Sequence, residues 1–229
     1  MPQANQKKQP KKPNNHQPGF NFNLMEIKTF VIGELQTNCY ILINQNTNQC
    51  LIVDPADEAN FLSEQILRQN LKPLAILATH GHFDHILASC ELQMAFKIPF
   101  YVHEKDLFLV KNLPKNASFW TKRIIVEKSP EKIKDLKPGN FTDFKDFKLK
   151  IIHTPGHTPG GVCFYFPIEE ILFTGDTLFT NGVGRTDLSY CSEKDLISSL
   201  KKLSRLPGET EIYPGHGENS LLSYSLSLL

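Results

Sequence analysis

The side chains best suited to chemistry lie in one short stretch of the chain, residues 79–85, with the sequence THGHFDH. Residues two apart in extended backbone project to the same side, so His80 and His82 can bind one metal ion. Asp84 and His85 follow at the start of a predicted helix and can face a second point nearby. Asp84 alone could equally be the N-cap of that helix. Three histidines and an aspartate at this spacing favour a metal site, because imidazole and carboxylate together suit zinc, iron and manganese.

Three further segments place a ligand-type side chain beside glycine directly after a predicted strand. They are His157 in HTPGHTPG, Asp176 in GDT and His216 in PGHG. Proline and glycine set tight turns there and leave little bulk around the neighbouring side chain. The carboxyl ends of strands in α/β sheets open into a crevice that is used for sites. Each residue alone would be an ordinary turn residue, but together the junctions indicate one shared centre.

The elements that must position these side chains follow from hydrophobic periodicity. Strands are predicted at 27–32, 39–43, 49–53, 74–78, 100–102, 147–152, 162–166, 171–174 and 211–213. Helices are predicted at 57–69, 85–96, 104–112 and 192–203. The region 113–140 gives no clear pattern. Strands first, and then strands alternating with helices, predict a layered α/β domain.

Composition sets the class of protein and excludes several functions. The 229 residues, 40% hydrophobic and 21% charged, can bury one sizeable core. A formal net charge of +1 argues against a basic nucleic-acid binder. The five cysteines form no C-x-x-C pair, which argues against thiolate zinc and favours a reducing, cytoplasmic location. No stretch approaches the roughly 18 apolar residues of a membrane span, so no membrane partner is expected.

The first 24 residues differ from the rest of the chain. They hold four lysines and four prolines with no acidic residue, so this basic, Pro/Gln/Asn-rich tail is predicted to be disordered. The tail contains no apolar region typical of a secretory signal. Residues 25–229 are predicted to form the folded domain, and Met25 is an alternative translation start.

Five motifs in this order, THGHFDH, HTPGHTPG, GDTLF, GRTD and YPGHG, together resemble the metallo-β-lactamase superfamily. The likeness is greatest to its glyoxalase II-like (hydroxyacylglutathione hydrolase-like) branch of small hydrolases. It extends from about Met25 to about Gly217. The resemblance implies a single-domain four-layer αβ/βα sandwich with a dinuclear metal site at its edge.

The resemblance also assigns roles to individual residues. It implies that one metal is bound by His80, His82 and His157, the second by Asp84, His85 and His216, and that Asp176 bridges both. Asp54 matches an aspartate at an early strand end that orients the site and does not bind metal. In the GRTD motif, Arg185 either pairs with Asp187 or contacts an anionic substrate.

This ligand set predicts a hydrolase. Two cations lower the pKa of a bridging water until hydroxide forms near neutral pH, and that hydroxide attacks a polarised carbonyl. The catalytic carboxylates are then Asp84 and Asp176, and the cofactor is two divalent ions, with zinc favoured over iron or manganese. The resemblance implies a small-molecule thioester or ester as the substrate. The metal, the acyl group, the thiol carrier and a homo-oligomeric state stay open.

Two alternatives compete with thioester hydrolysis. One is a mononuclear iron persulfide dioxygenase, which shares the first motif and GRTD, but which usually resembles P-A-H where this chain has P-G-H-G. The other is a metal-binding component without hydrolytic activity. Dizinc β-lactamases often use a cysteine at the second metal, whereas no cysteine occupies a motif position here. The leucine-rich end, residues 221–229, is predicted to be either a docked final helix or a dimer contact.

Overall fold

The computed structural model describes residues 25–139 and 141–229, with the backbone alone at 141–143. The predicted tail at 1–24 lies outside the described residues. The strands are β1 (Met25–Ile32), β2 (Thr37–Asn44), β3 (Gln49–Val53), β4 (Lys72–Leu77), β5 (Phe100–Val102), β6 (Ile133–Asp135), β7 (Phe141–Phe144), β8 (Phe147–His153), β9 (Val162–Phe166), β10 (Ile171–Gly175), β11 (Glu211–Pro214) and β12 (Ser220–Leu221). The helices are α1 (Ala59–Arg68), α2 (Phe83–Ile86), α3 (Ser89–Phe96), α4 (Leu107–Lys111), α5 (Leu113–Thr121), α6 (Glu193–Leu203) and α7 (Leu222–Ser227). A 3₁₀ turn at Glu104–Asp106 precedes α4.

The strands form two six-stranded mixed sheets, ordered β1-β2-β3-β4-β5-β6 and β12-β11-β10-β9-β8-β7. In the first sheet β1 to β3 form an antiparallel meander, and β3 to β6 run parallel. In the second, β7 to β10 are antiparallel, and α6 precedes the parallel strand β11. Parallel neighbours place their carboxyl ends at one edge, which is where the site residues follow.

Alternation along β2 explains the layers. Tyr40 and Leu42 pack in the cluster shared with Phe164 and Phe173 of the second sheet. The intervening Ile41 packs in the cluster that holds residues of α1 and α3. Side chains alternate between the faces of a strand, so β2 is buried on both sides. The predicted four-layer αβ/βα sandwich is confirmed.

Two predicted elements differ in detail from the structure. The predicted helix at 85–96 is two helices, α2 and α3, because the Ala88 amide donates to the Pro55 carbonyl at 3.1 Å. In β4 the strand starts earlier than predicted and includes Pro73. A shift of register opposite Cys50 accommodates this proline, which has no amide hydrogen to donate to a ladder.

The unassigned region and the chain end both contain regular structure. Helix α5 and strand β6 lie within residues 113–140. The leucine-rich end forms a docked final helix, the first of its two predicted possibilities. Helix α7 packs Leu222 and Leu226 against the cluster around Leu203. Within the described ranges, no helix is long and apolar enough to cross a membrane.

Candidate metal centre

The seven side chains predicted to bind metal meet at one edge of the sandwich. Those at 80–85 follow β4 and continue into α2, while the other three follow β8, β10 and β11. Three overlapping groups have donor atoms within 4.8 Å of one another: His80, His82 and His157; His80, His85 and Asp176; and Asp84, His85 and His216. The metal-ligand roles assigned to these residues stay predictions.

The first group brings three ring nitrogens together. Nδ1 of His82 lies 3.1 Å from Nε2 of His80 and 2.9 Å from Nε2 of His157. The predicted two-residue spacing therefore does bring His80 and His82 to a common point. His157 reaches it from the second sheet.

The group of Asp84, His85 and His216 is the second of the two groups that Asp176 joins, and it lies beside the first. Nε2 of His216 is 3.4 Å from Oδ2 of Asp84, and Nε2 of His85 is 3.6 Å from the same oxygen. The N-cap residue of α2 is His82, and Asp84 lies inside the helix, so the N-cap alternative for this aspartate is wrong. Its carboxylate points to the centre instead.

Asp176 lies between the two groups. Its oxygens are 3.5 Å from Nε2 of His157, 3.3 Å from Nε2 of His85 and 3.7 Å from Nε2 of His216. The adjoining Gly215 is required sterically, because a Cβ there would overlap Oδ1 of Asp176 and come within 2.6 Å of the His85 ring. This glycine lets the carboxylate sit between donors from both sheets.

Each histidine is held by the ring nitrogen that faces away from the centre. The partners of these outer nitrogens are the Thr79 hydroxyl for His80, the Tyr190 hydroxyl for His82, Asp54 for His85, the Arg185 carbonyl for His157 and the Gln36 carbonyl for His216. A carbonyl can only accept, so Nδ1 of His157 donates and its Nε2 presents a lone pair to the centre. Such outer partners fix ring orientation at metal sites.

The donor set fits a cation. His85 Nε2 and Asp176 Oδ1 are buried and have no hydrogen-bond partner. Buried polar atoms without partners are costly, and a metal ion between them would satisfy both. Imidazole and carboxylate are ligands for zinc, iron and manganese.

The electrostatics of the centre favour a positive ion. Burial, reinforced by His85, lowers the pKa of His80 well below its usual value, and burial lowers the pKa of His82 to about 3. Burial also opposes charge on His85, but Asp176 and Asp84 together raise its pKa well above the usual value. In turn His85 lowers the pKa of both carboxyls against the effect of burial. The carboxylates are therefore ionised, and a proton or a metal ion must balance them.

Asp54, predicted to orient the site, lies behind it. Its carboxylate accepts from the Thr79 amide at 2.7 Å and from the Thr79 hydroxyl at 2.6 Å, and it contacts Nδ1 of His85 at 3.0 Å. The residue has a φ of 48°, a left-handed conformation uncommon for aspartate. Asp54 thus contacts both the loop and one imidazole of the centre.

Asp106 is a supporting residue that sequence reasoning missed. This fully buried carboxylate accepts from the Gly81 amide at 2.9 Å, the Gly160 amide at 2.6 Å and the Thr158 hydroxyl at 2.7 Å. It therefore joins the loop of His80 and His82 to the turn that carries His157. No motif marks Asp106, and an aspartate at the start of a predicted helix indicates only a cap.

Arg185 makes the first of its two predicted contacts. It forms a bidentate pair with Asp187 at 2.6 and 2.7 Å, and the pairing lowers the pKa of the Asp187 carboxyl to about 2.

His153, predicted to be a supporting residue, stacks on His103 with ring centroids 4.5 Å apart. Neither of these histidines belongs to a donor group among the described residues.

A cavity of about 660 Å³ opens on the centre. Of the seven donor residues, those on its border are His82, Asp84, His157, Asp176 and His216. The border also includes apolar side chains from α4 and α5. Volumes of this size hold small-molecule ligands.

Comparison with known proteins agrees with this geometry. The profile described as "Metallo-beta-lactamase superfamily" matches residues 32–216. The "Probable metallo-hydrolase YqgX" of Bacillus subtilis is 36% identical over 194 residues, covering 84% of this chain and 90% of that protein. The "Hydroxyacylglutathione hydrolase GloC" of Haemophilus influenzae is 34% identical over 195 residues, covering 84% of this chain and 91% of that protein.

Two solved structures extend the likeness to three dimensions. The structure of "BLEG-1 B3 metallo-beta-lactamase" superposes with a TM-score of 0.82 at 36% identity, covering 88% of this chain and 97% of that one. The structure of "TTHA1623 in a di-iron-bound form" gives a TM-score of 0.79 at 37% identity, covering 87% of this chain and 96% of that one. The chain belongs to the metallo-β-lactamase superfamily.

Proposed function

We propose that the protein is a dinuclear metal-dependent hydrolase of thioesters. The observation that carries the proposal is the position of Asp176, whose oxygens lie within 3.7 Å of imidazole nitrogens from both donor groups. A carboxylate between two groups of donors suits two cations sharing one bridging ligand. A mononuclear iron dioxygenase would leave the group of Asp84, His85 and His216 without a role.

The residues would hold the two ions as their grouping suggests. One ion would take His80, His82 and His157, the second would take Asp84, His85 and His216, and Asp176 would be shared. Two such ions supply Lewis acidity and a hydroxide nucleophile near neutral pH. Zinc is our first choice, while the similar structure named as di-iron-bound makes iron a direct alternative and manganese a third.

The protein itself controls how a substrate approaches. His80 and His85 are fully or almost fully buried and do not border the cavity, so a substrate meets the other five donor residues, which do. Tyr190 also borders the cavity, and its hydroxyl lies 2.8 Å from Nε2 of His82. An ion held by Nδ1 of His82 would leave the Nε2–H of this ring to donate to the Tyr190 oxygen. The hydroxyl proton of Tyr190 would then be free to donate towards the substrate.

The choice of a thioester draws support from the relative named hydroxyacylglutathione hydrolase. The partner is then a small molecule, with no part for nucleic acid or membrane. A β-lactam is the second candidate substrate, because the structure named as a B3 metallo-β-lactamase superposes over 88% of the chain. Both reactions use attack at a carbonyl, so one centre is suited to either.

The test combines metal analysis with a substrate panel. The full chain is loaded with zinc, iron or manganese and assayed with S-lactoylglutathione, the corresponding oxygen ester, a chromogenic cephalosporin, and glutathione persulfide with oxygen uptake recorded. We expect about two ions per chain, as for a two-metal centre, and thioester cleavage that a chelator abolishes and added metal restores. His82→Ala should lose metal and activity while Lys194→Ala, at an exposed helix position, keeps both.

Full thioester turnover by metal-depleted protein would contradict the mechanism. Oxygen uptake without hydrolysis would indicate the dioxygenase instead, and cleavage of the cephalosporin alone would indicate the β-lactam. Metal binding without any of these activities would indicate a non-hydrolytic component.

A further inference from the structure

Part of the cavity border is aromatic. Phe108, Phe119 and Trp120 all border the cavity and are 42%, 63% and 49% exposed. In the part of the chain that the structure describes, these are all the phenylalanine and tryptophan side chains classed as exposed. Large apolar side chains left exposed together at a pocket indicate a binding surface. Leu35, 49% exposed, borders the same cavity.

The aromatic side chains of the border form two contacting pairs, and one of these pairs reaches a donor residue. The rings of Phe119 and Trp120 lie 5.4 Å apart edge to face, and those of Phe108 and Tyr190 lie 5.5 Å apart. The Tyr190 hydroxyl contacts His82. The aromatic residues and five donor residues border one cavity, so a substrate whose reactive bond lies at the metal centre has aromatic side chains within the same cavity.

The charged groups on the cavity border are already paired. Among described residues, Arg185 is the one lysine or arginine on that border, and its guanidinium is engaged by Asp187 at 2.6 and 2.7 Å. Glu34, which also borders the cavity, is paired with Arg123 at 2.7 Å. Two cations lie over the aromatic rings: the Arg185 guanidinium is 5.6 Å from the Trp120 ring, and the ammonium of Lys122, which does not border the cavity, is 4.4 Å from the Phe119 ring. An uncharged apolar group contacts the remaining aromatic surface without displacing either ion pair of the border.

We infer that the cavity selects thioesters that carry an uncharged apolar group of about the size of a phenyl ring, bound against Phe108, Phe119 and Trp120. This inference rests on the proposed function for the reaction and adds the substrate class. The apolar group is either the acyl part or the thiol part of the thioester, which the experiment separates.

The kinetic test uses matched substrates on the metal-loaded full chain. Phenylacetyl and acetyl thioesters of N-acetylcysteamine vary the acyl part, and the acetyl thioester of benzyl mercaptan places the ring on the thiol part. We expect one of the two ring-bearing substrates to exceed the acetyl N-acetylcysteamine thioester in kcat/KM by about tenfold, the effect of one aromatic contact. Trp120→Ala should reduce that ratio by a similar factor, and S-lactoylglutathione should be the poorer substrate.

Tyr224→Ala is the matched control, because Tyr224 is an aromatic side chain 52% exposed that does not border the cavity. It should leave the ratio unchanged. Equal kcat/KM for ring-bearing and acetyl substrates, or a ratio that Trp120→Ala does not alter, would overturn the inference while leaving thioester hydrolysis intact.

A binding measurement decides the inference even if no thioester is cleaved. Trp120 is the sole tryptophan of the chain, so intrinsic tryptophan fluorescence reports on the aromatic part of the cavity border alone. Benzyl mercaptan and 2-sulfanylethanol present the same thiol to the centre and differ in the apolar group. We expect benzyl mercaptan to bind about tenfold more tightly and to shift the emission. Equal affinities would reject the aromatic site, whereas tighter benzyl mercaptan binding without hydrolysis would reject only the proposed reaction.

Discussion

The loop after β4, in the first sheet, carries four of the seven donor residues within six positions, whereas the second sheet supplies the other three from three separate strand ends. Donors in the loop owe their grouping to local spacing. His157, Asp176 and His216 depend on the packing of β8, β10 and β11 and on contacts between the sheets. The comparison teaches that one half of the centre is encoded locally and the other by the tertiary fold.

The largest expected effect is on metal content and kcat/KM. It separates Asp176, which lies near both donor groups, from Asp84, which belongs to one group. Asp176→Asn should leave fewer than one ion per chain and lower kcat/KM by about a thousandfold, roughly 4 kcal/mol, because Asp176 is near both groups. Asp84→Asn should retain one ion, since Asp84 contacts only His85 and His216 among the donors. Metal analysis and kinetics measure both, with circular dichroism as the check on folding. Equal metal loss in the two variants would contradict a shared position for Asp176.

The second prediction removes Asp106, which joins the loop of His80 and His82 to the turn that carries His157. Asp106→Ala leaves the Gly81 and Gly160 amides and the Thr158 hydroxyl buried without their acceptor, which should lower the free energy of unfolding by roughly 3 kcal/mol. Metal affinity should fall by about tenfold or more, since both donor loops lose their support. Urea unfolding and metal titration measure these effects.

Asp135→Ala is the control for Asp106, because Asp135 is exposed and accepts one hydrogen bond, from the Glu104 amide at 2.9 Å. It should change stability little. If both variants behaved alike, Asp106 would have no special part in joining the halves.

The third prediction concerns the close packing around Gly215, which follows β11 in the second sheet. Gly215→Ala should move Asp176 and His85 apart, at a cost of about 2 kcal/mol for overpacking, and should weaken metal binding. Gly182→Ala is the control, as a Cβ at Gly182 meets nothing within 4 Å. Thermal unfolding and metal titration compare the two. Unchanged metal affinity in Gly215→Ala would mean that the carboxylate tolerates displacement.

The smallest expected effect is on how the free energy of unfolding depends on pH. It concerns the stack of His103, which follows β5 in the first sheet, on His153, which ends β8 in the second sheet. Burial lowers the pKa of both imidazoles below the usual 6.5. The unfolded chain therefore takes up more protons as pH falls through 6.5, so the stack favours folding above that pH and this stabilisation is lost below it. His153→Gln should reduce the loss of unfolding free energy between about pH 6.5 and 5. An unchanged pH profile of urea unfolding would show that the stack contributes nothing.

Local pattern was sufficient for most of the fold. Short β-rich runs broken by turn residues predicted β1 to β3, and three-residue and four-residue spacing predicted α1. The pattern failed for α5 and β6, which lie in residues 113–140, where exposed apolar side chains such as Trp120 obscure the periodicity. Those side chains border the cavity, so their exposure belongs to the site more than to the core.

The site was predictable to the extent that its chemistry requires particular residue types. All seven predicted donor residues lie together in the structure. They could be predicted because histidine and aspartate placed after strand ends leave a clear signal in the sequence. Asp106 and Tyr190 left none, since a buried carboxylate and a tyrosine acquire their meaning only from partners distant in sequence. Residues that position others are set by the fold, and no short motif reveals them.

The outer hydrogen bonds of the five histidines have a consequence for how the protein acquires its metal. Imidazoles that are held by protein partners are oriented when the chain folds, unlike those of small domains that fold only around their ion. A metal ion would then be loaded after folding, as a separate step. Which of zinc, iron and manganese the folded protein takes up would depend on the supply of ions, because imidazole and carboxylate ligands discriminate weakly among them.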